Sequence, residues 1–136
     1  MNHLVSDWMT PNVISVASTA TLEEADSLMV DRDIRRLAVV DDKELTGILS
    51  QGDVRAAKAS RSADTLQAAT LPTVEAIMTP NPITIPQTAS VALAAKTMLQ
   101  LKVSGLPVVD DNGHLCGILS ESDLFRYIVE VNTTLN

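Results

Sequence analysis

Two Ser-x-x-Asp steps, Ser50 with Asp53 and Ser120 with Asp123, are the residues of this chain best suited to holding a ligand. Each follows an apolar run of strand type, Gly47-Ile48-Leu49 or Gly117-Ile118-Leu119, and precedes a stretch that can form a helix. A strand end feeding a helix start aims free backbone N–H groups and the positive end of the helix dipole at one spot, which favours an anion. A carboxylate there can also accept from two adjacent hydroxyls, such as a ribose diol, with each charge-assisted bond worth about 1.5 to 3 kcal/mol at best. The same spacing has a plainer use. Serine caps the helix by accepting from the third amide, and aspartate favours the dipole. On spacing alone the cap is the better-supported use, and the residues themselves leave both open.

Cations are concentrated near the first of these steps. Residues 32–61 carry seven basic side chains against five acidic ones, although the chain as a whole has 10 Lys and Arg, 17 Asp and Glu and a formal charge of −7. Arg55, Lys58 and Arg61 recur every three residues and read as a solvated helix face. Arg35 and Arg36 differ, because they immediately precede an apolar strand instead of recurring along a helix face. The negative total repels DNA and RNA over the whole surface, and Trp8, Phe125 and Tyr127, the only aromatics, cannot supply a base-stacking platform.

Catalysis has little to work with. His3 is expected on a mobile terminus and His114 beside a turn, both solvated, and His114-x-Cys116 is too sparse for zinc. Cys116, the one cysteine, reads as a buried strand residue and Trp8 as a packing anchor. A single thiol fits a reducing, cytoplasmic setting. No apolar run of signal-peptide length opens the chain, and residues 76–95 contain Pro80, Pro82 and Pro86, so neither export nor a membrane helix is expected.

The elements that must position these residues are written twice. Met9-Thr10-Pro11-Asn12 recurs as Met78-Thr79-Pro80-Asn81, an offset of 69 that also carries Ala25 onto Ala94, Met29 onto Met98 and Val39-Val40-Asp41-Asp42 onto Val108-Val109-Asp110-Asp111. The second copy then gains one residue, so Gly47-Ile48-Leu49-Ser50 and Asp53 match Gly117-Ile118-Leu119-Ser120 and Asp123 at an offset of 70. Each copy predicts a short extended piece (13–16 or 83–85), a helix, a strand pair and a second helix starting just after Ser50 or Ser120. Thr21 with Glu24 is a capping box for the first helix, and Ser90 caps its counterpart, whose apolar residues spread further round the helix and predict deeper burial. The strand pairs fall at 37–40 with 45–49 and at 106–109 with 115–119, and Asn112-Gly113 is a strong hairpin signal. Repeats at 1–62 and 74–136 are thus joined by a Ser/Thr/Ala-rich connector at 63–73.

A unit of roughly 60 residues buries too little surface to be comfortable alone. The expected fold is therefore α+β: two β-α-β-β-α repeats packed sheet to sheet as an intrachain pseudo-dimer, with related clefts where the copies meet.

The Met-Thr-Pro segments, the apolar-Pro-Val-Val-Asp strand at 106–110 and the Gly-Ile-Leu-Ser-x-x-Asp ending of both copies resemble, in order, spacing and duplication, a CBS domain pair, also called a Bateman module, of the small stand-alone type. The resemblance covers nearly the whole chain. It implies a regulatory module without catalytic activity or a cofactor of its own, similar to those of IMP dehydrogenase and the gamma subunit of AMP-activated protein kinase. The implied ligand is an adenosine-containing nucleotide: AMP, ADP or ATP, or else NAD or S-adenosylmethionine. By the same resemblance Thr10, Ile14, Thr79 and Ile83 form pocket walls, Arg35 and Arg36 contact phosphate, and Ser50, Asp53, Ser120 and Asp123 hold the sugar. Ser104 and Gly105 stand where the first copy has Arg35 and Arg36, so the second copy offers close backbone approach instead of charge. Ala38 departs from the family's usual proline, found here at Pro107. Further implied partners are a second copy of the chain, docked through helices, and a regulated protein. A constitutive assembly module with no physiological nucleotide is the alternative. Which strand entrance, Arg35-Arg36 or Ser104-Gly105, combines with which Ser-x-x-Asp stays open, since each cleft can draw on both copies.

Overall fold

The computed structural model describes residues 3–63 and 72–135, so residues 64–71 of the 63–73 connector lie outside the described residues. Helix α1 (Val5–Trp8), strands β1 (Thr10–Pro11) and β2 (Ser15–Val16), helix α2 (Leu22–Arg32), strands β3 (Arg36–Asp41) and β4 (Glu44–Ser50) and helix α3 (Gln51–Ala63) form the first series. The second series is α4 (Val74–Ile77), β5 (Thr79–Pro80), β6 (Ile85–Pro86), α5 (Val91–Leu101), β7 (Gly105–Val109), β8 (Leu115–Ser120) and α6 (Glu121–Leu135). The α+β character and the duplicated order are as expected.

The compact units are not the sequence copies. One unit comprises Met1–Val13 with Ile83–Asn136, and the other comprises Ile14–Pro82. In the first unit the sheet order is β1-β8-β7-β6, and in the second it is β2-β3-β4-β5. Each Met-Thr-Pro segment, expected only to lead into a strand, is itself an edge strand in the sheet of the other copy. Thr10 pairs with Ile118 and Pro11 with Gly117, while Thr79 pairs with Ile48 and Pro80 with Gly47, all antiparallel. An edge suits the prolines, which lack an N–H for a further ladder.

The exchanged strand depends on a glycine beneath it. A Cβ on Gly117 would overlap the Met9 sulfur and come 3.1 Å from the Thr10 carbonyl oxygen; on Gly47 it would overlap the Met78 sulfur and come 3.0 Å from the Thr79 carbonyl oxygen. The methionines so admitted pack against the cores, Met9 against the cluster that includes Val5, Leu106 and Leu119, and Met78 against the one that includes Leu22, Leu37 and Leu49. The fourth residue of each motif explains itself as well. Asn12 and Asn81 have φ of 56° and 49°, a left-handed conformation that asparagine tolerates better than other side-chain-bearing residues.

Helices α2 and α5 lie on their cores through equivalent stripes, Leu22, Ala25 and Met29 or Val91, Ala94 and Met98. The capping box of Thr21 and Glu24 forms, and the Ser90 hydroxyl accepts from Leu93 N. The expectation that α5 is the more buried fails, since Leu93, Leu99 and Leu101 are exposed, Leu99 by 80%. One sheet face covers only one stripe of a helix, so extra apolar residues round the circumference find nothing to cover them.

The hairpins differ too. In the first, Asp42 and Lys43 both take positive φ without glycine; in the second, the longer loop puts only Gly113 there, at φ 80°. Asp110 holds that loop by accepting from Asn112 N and His114 N. Asp41, its counterpart, instead accepts from Ser18 N at 3.0 Å and from the Thr46 hydroxyl at 3.1 Å. The Ser18 backbone bond, helped by the Ser18 and Thr46 hydroxyls against a smaller desolvation effect, lowers the Asp41 pKa from its ordinary value.

Two stability outcomes are expected. Gly117→Ala should destabilise by about 1–3 kcal/mol in urea unfolding, as overpacking does, and a neutral result would refute the requirement for close approach. Asp41→Ala should lower the melting temperature at pH 7. Because the folded pKa is depressed, this contribution is complete above the unfolded value of about 4 and is lost as pH falls through the folded value, so melting curves of the two proteins should converge in acid.

Candidate functional site

Each unit gathers one residue set, drawn from both sequence copies. In the second unit Thr79 on β5 lies beside β4, whose last residue, Ser50, pairs with Arg36 on β3. Gln51 N, the first amide of α3, donates to the Arg35 carbonyl at 2.8 Å, tying the start of β3 to the helix start. Ile14 is half-buried against the same core. In the first unit Thr10 on β1 lies beside β8, Ser120 pairs with Gly105, and Glu121 N donates to the Ser104 carbonyl at 3.1 Å. Ile83, nominated with Ile14, is 55% exposed. Each strand entrance thus lies beside the Ser-x-x-Asp of its own copy, Arg36 opposite Ser50 and Gly105 opposite Ser120, while the neighbouring Met-Thr-Pro strand comes from the other copy.

Both carboxylates are engaged at their helix starts, but differently. Ser50 and Asp53 form a reciprocal capping box: Asp53 N donates to Ser50 Oγ at 3.1 Å, and Ser50 N donates to Asp53 Oδ2 at 2.9 Å. Asp53 Oδ1 has no hydrogen-bond partner among the described residues. Asp123 is only 7% exposed. Its Oδ2 accepts from Ser120 N at 2.8 Å and from the Ser120 hydroxyl at 3.1 Å, and its Oδ1 accepts from Arg126 Nη2 at 2.8 Å. The capping use raised by the spacing is therefore complete at Ser50, whereas at Ser120 the hydroxyl donates to Asp123 Oδ2; in both, the carboxylate keeps acceptor capacity that these bonds do not use.

Arg126 escaped the sequence reading. The available signal was Asp123-x-x-Arg126, opposite charges three apart on a helix and therefore neighbours on its surface. The guanidinium also donates to the Trp8 carbonyl at 3.1 Å and lies 5.6 Å from the centre of the Trp8 ring. Trp8 packs edge-on against Tyr127 at 5.3 Å, so it anchors α1 to α6 as expected. His3 departs from expectation. Its Nδ1 hydrogen-bonds the Tyr127 hydroxyl and its carbonyl accepts from Val91 N, so the aromatic partner on α6 and the start of α5 hold what was expected to be a loose terminus.

The other candidates are quiet. His114 is exposed, and its amide serves the hairpin. Cys116 is half-buried rather than fully buried, and desolvation, with Asp110 nearby, raises its thiol pKa and keeps it neutral. Lys58 pairs with Asp26 on α2, in keeping with a solvated basic face. An open groove of about 490 Å³ over α2 is lined by Val16, Glu23, Glu24, Ser27, Leu28 and Asp31, an acidic wall unsuited to phosphate. Among the described residues no cluster of His, Cys, Asp or Glu could hold a metal ion, and no helix is long and apolar enough to cross a membrane.

Comparison with known proteins gives the family. The CBS domain profile matches residues 5–60 and 74–130, and the chain belongs to the CBS domain family. A CBS domain-containing protein of Dictyostelium discoideum is 36% identical over 96% of this chain and 94% of its own length. Among solved structures, CBSX2 of Arabidopsis thaliana in complex with AMP superposes with a TM-score of 0.83 at 29% identity, covering 96% of this chain and 99% of that one. The CBS domain pair of protein MJ0100, in complex with 5′-methylthioadenosine and S-adenosyl-L-methionine, has a TM-score of 0.80 at 31% identity and covers 93% and 96%. The duplicated fold expected from the motifs is therefore that of a CBS pair.

The cap geometry makes a direct prediction. Ser50→Ala removes an acceptor for Asp53 N and should cost about 1 kcal/mol in chemical denaturation, the usual effect of losing an N-cap. Ser120→Ala should cost less, because Asp123 keeps Ser120 N and Arg126. The reverse order would contradict the two arrangements described.

Proposed function

We propose that this chain is a regulatory module that senses an adenosine-containing nucleotide and has no catalytic role. Asp53 and Asp123 are the sugar-binding carboxylates, Thr79 with Ile14 and Thr10 with Ile83 are the flanking walls, and Arg35 and Arg36 contact phosphate. The observation that carries this reading is the convergence, in each unit, of an exposed Met-Thr-Pro threonine, a strand start and a carboxylate at a helix start. Ligands bound by CBS-pair relatives, AMP in one and S-adenosyl-L-methionine in another, support the adenosyl class. Ser104 and Gly105 leave the first unit without the cations that Arg35 and Arg36 give the second, and this supports unequal preference for phosphate.

A second role, self-association, rests on a separate observation. Phe125, Ile128 and Val129 on α6 fall at i, i+3 and i+4 and are exposed by 62%, 52% and 63%, with Leu99 of α5 exposed as well. A homodimer through these helices accounts for a face too apolar to be left in water, and a regulated protein could read the ligand state through it. This assembly role needs no nucleotide.

Thermal unfolding with AMP, ADP, ATP, NAD and S-adenosylmethionine tests the sensing role. A true ligand at 100 times its dissociation constant adds about 2.7 kcal/mol of stability, a shift of several degrees. Asp53→Ala should weaken nucleosides more than inorganic phosphate. Absence of any shift across the panel, together with a dimer in sedimentation that ignores nucleotide, would leave only the assembly role.

A further inference from the structure

The two carboxylates are not equally ready for a sugar. A carboxylate has about four lone-pair positions. Asp53 has one occupied, by Ser50 N, and among the described residues Oδ1 accepts from none, so both hydroxyls of a diol can be received without displacing a described donor. Asp123 has three occupied, by Ser120 N, the Ser120 hydroxyl and Arg126 Nη2, which leaves room for one hydroxyl only. The Arg126 side chain is 55% exposed, yet its guanidinium is engaged by three partners, the Trp8 carbonyl, the Trp8 ring and Asp123. At the matching position of the first copy, 70 residues earlier, stands Ala56, so nothing comparable covers Asp53.

We propose that Arg126 is a specificity-determining latch: it holds Asp123 closed to a sugar diol, so that a phosphorylated adenosine nucleotide fills the Asp53 unit first and the Asp123 unit only after Arg126 has left Asp123. This rests on the adenosyl reading of both sites and adds an order to it. The cations reinforce the order. Arg35 and Arg36 stand beside Asp53, whereas Ser104 and Gly105 stand beside Asp123. Opening the latch also removes the cation from the Trp8 ring. Trp8 is the single tryptophan of the chain and therefore an intrinsic reporter of the second event.

The test is a titration of the full chain with AMP, followed in parallel by calorimetry and by Trp8 fluorescence. The expected result is a tight first event without change in Trp8 emission, weakened at least tenfold in Asp53→Ala and retained in Asp123→Ala. A weaker second event should then change the emission. Arg126→Ala should tighten this second event at least tenfold. Arg126→Gln, which keeps much of the side-chain stem, should do the same and guards against loss of fold in the alanine variant. The latch is overturned by a first event that is lost in Asp123→Ala and kept in Asp53→Ala, or by a second event that neither Arg126 variant alters. Two events of equal affinity in the unaltered chain would also overturn it while leaving the adenosyl reading intact. Absence of binding in the wild-type chain and in every variant would overturn both.

Discussion

The backbone of each Met-Thr-Pro strand lies directly over a glycine of the other copy's Gly-Ile-Leu-Ser strand, and the rest of the structure depends on that approach. With any side chain at Gly47 or Gly117, the methionine sulfur and the threonine carbonyl would have to retreat. The thioether can swing aside, but the carbonyl, 3.0–3.1 Å from such a Cβ, must give by a few tenths of an ångström, which loosens the pairing of Thr10 with Ile118 or of Thr79 with Ile48. The contact also makes the copies interdependent. A chain restricted to 1–62 would lack the strand and thioether that its own sheet receives from Met78, Thr79 and Pro80. Duplication is thus a structural requirement as much as a repetition, since each small core is completed by a segment that the other copy carries.

Much of this was legible in the residues, and the omissions have physical causes. Helix caps, strand alternation and the starts of α3 and α6 are local effects, so Thr21 with Glu24, Ser90, and the residues after Ser50 and Ser120 announce them directly. The exchange of Met-Thr-Pro is not local. An internal offset shows which residues are equivalent, but equivalent residues need not be neighbours, and symmetry is satisfied whether a strand joins its own sheet or the other. Two-residue β-strands add too little pattern to be detected. The overestimate of α5 burial has another origin: apolar letters count hydrophobicity, whereas burial needs a surface to receive it, and Leu99 faces none within its unit.

The carboxylates show why motif spacing underdetermined the site. Cap and ligand holder were alternatives in sequence because both ask for a serine, two intervening residues and an aspartate. In the folded chain the cap takes only some of the lone pairs, so the proposed ligand use draws on different ones. Ser50 N takes one position on Asp53 and thereby fixes its rotamer, which on the proposed reading leaves the remaining oxygen already oriented for a hydroxyl. Less side-chain freedom is then lost on binding, about 0.5–1.5 kcal/mol for a side chain otherwise immobilised at that moment. The same bond that stabilises the helix start therefore prepares the acceptor. At Asp123 the principle goes too far: a third donor, Arg126, stabilises the carboxylate but removes the capacity that a diol would need.

Net charge works against any anionic ligand here. At physiological ionic strength the −7 is screened beyond about 8 Å and repels a nucleotide only within that distance. Steering therefore gives no rate advantage, and affinity must come from contacts made at the site itself. That requirement separates the two units more sharply than their shared fold does. Arg35 and Arg36 can offset the repulsion of a phosphate beside Asp53. In the first unit Arg126 is already paired with Asp123, and any phosphate that drew Arg126 away would leave that carboxylate, 7% exposed, without its guanidinium partner. Uncovering a buried carboxylate in this way is costly unless the incoming group supplies hydrogen-bond donors in place of the guanidinium. A ribose diol brings two O–H donors and no charge, whereas inorganic phosphate sets its own negative charge against the carboxylate, so on the proposed reading an adenosyl group is better suited than inorganic phosphate to replace Arg126 on Asp123.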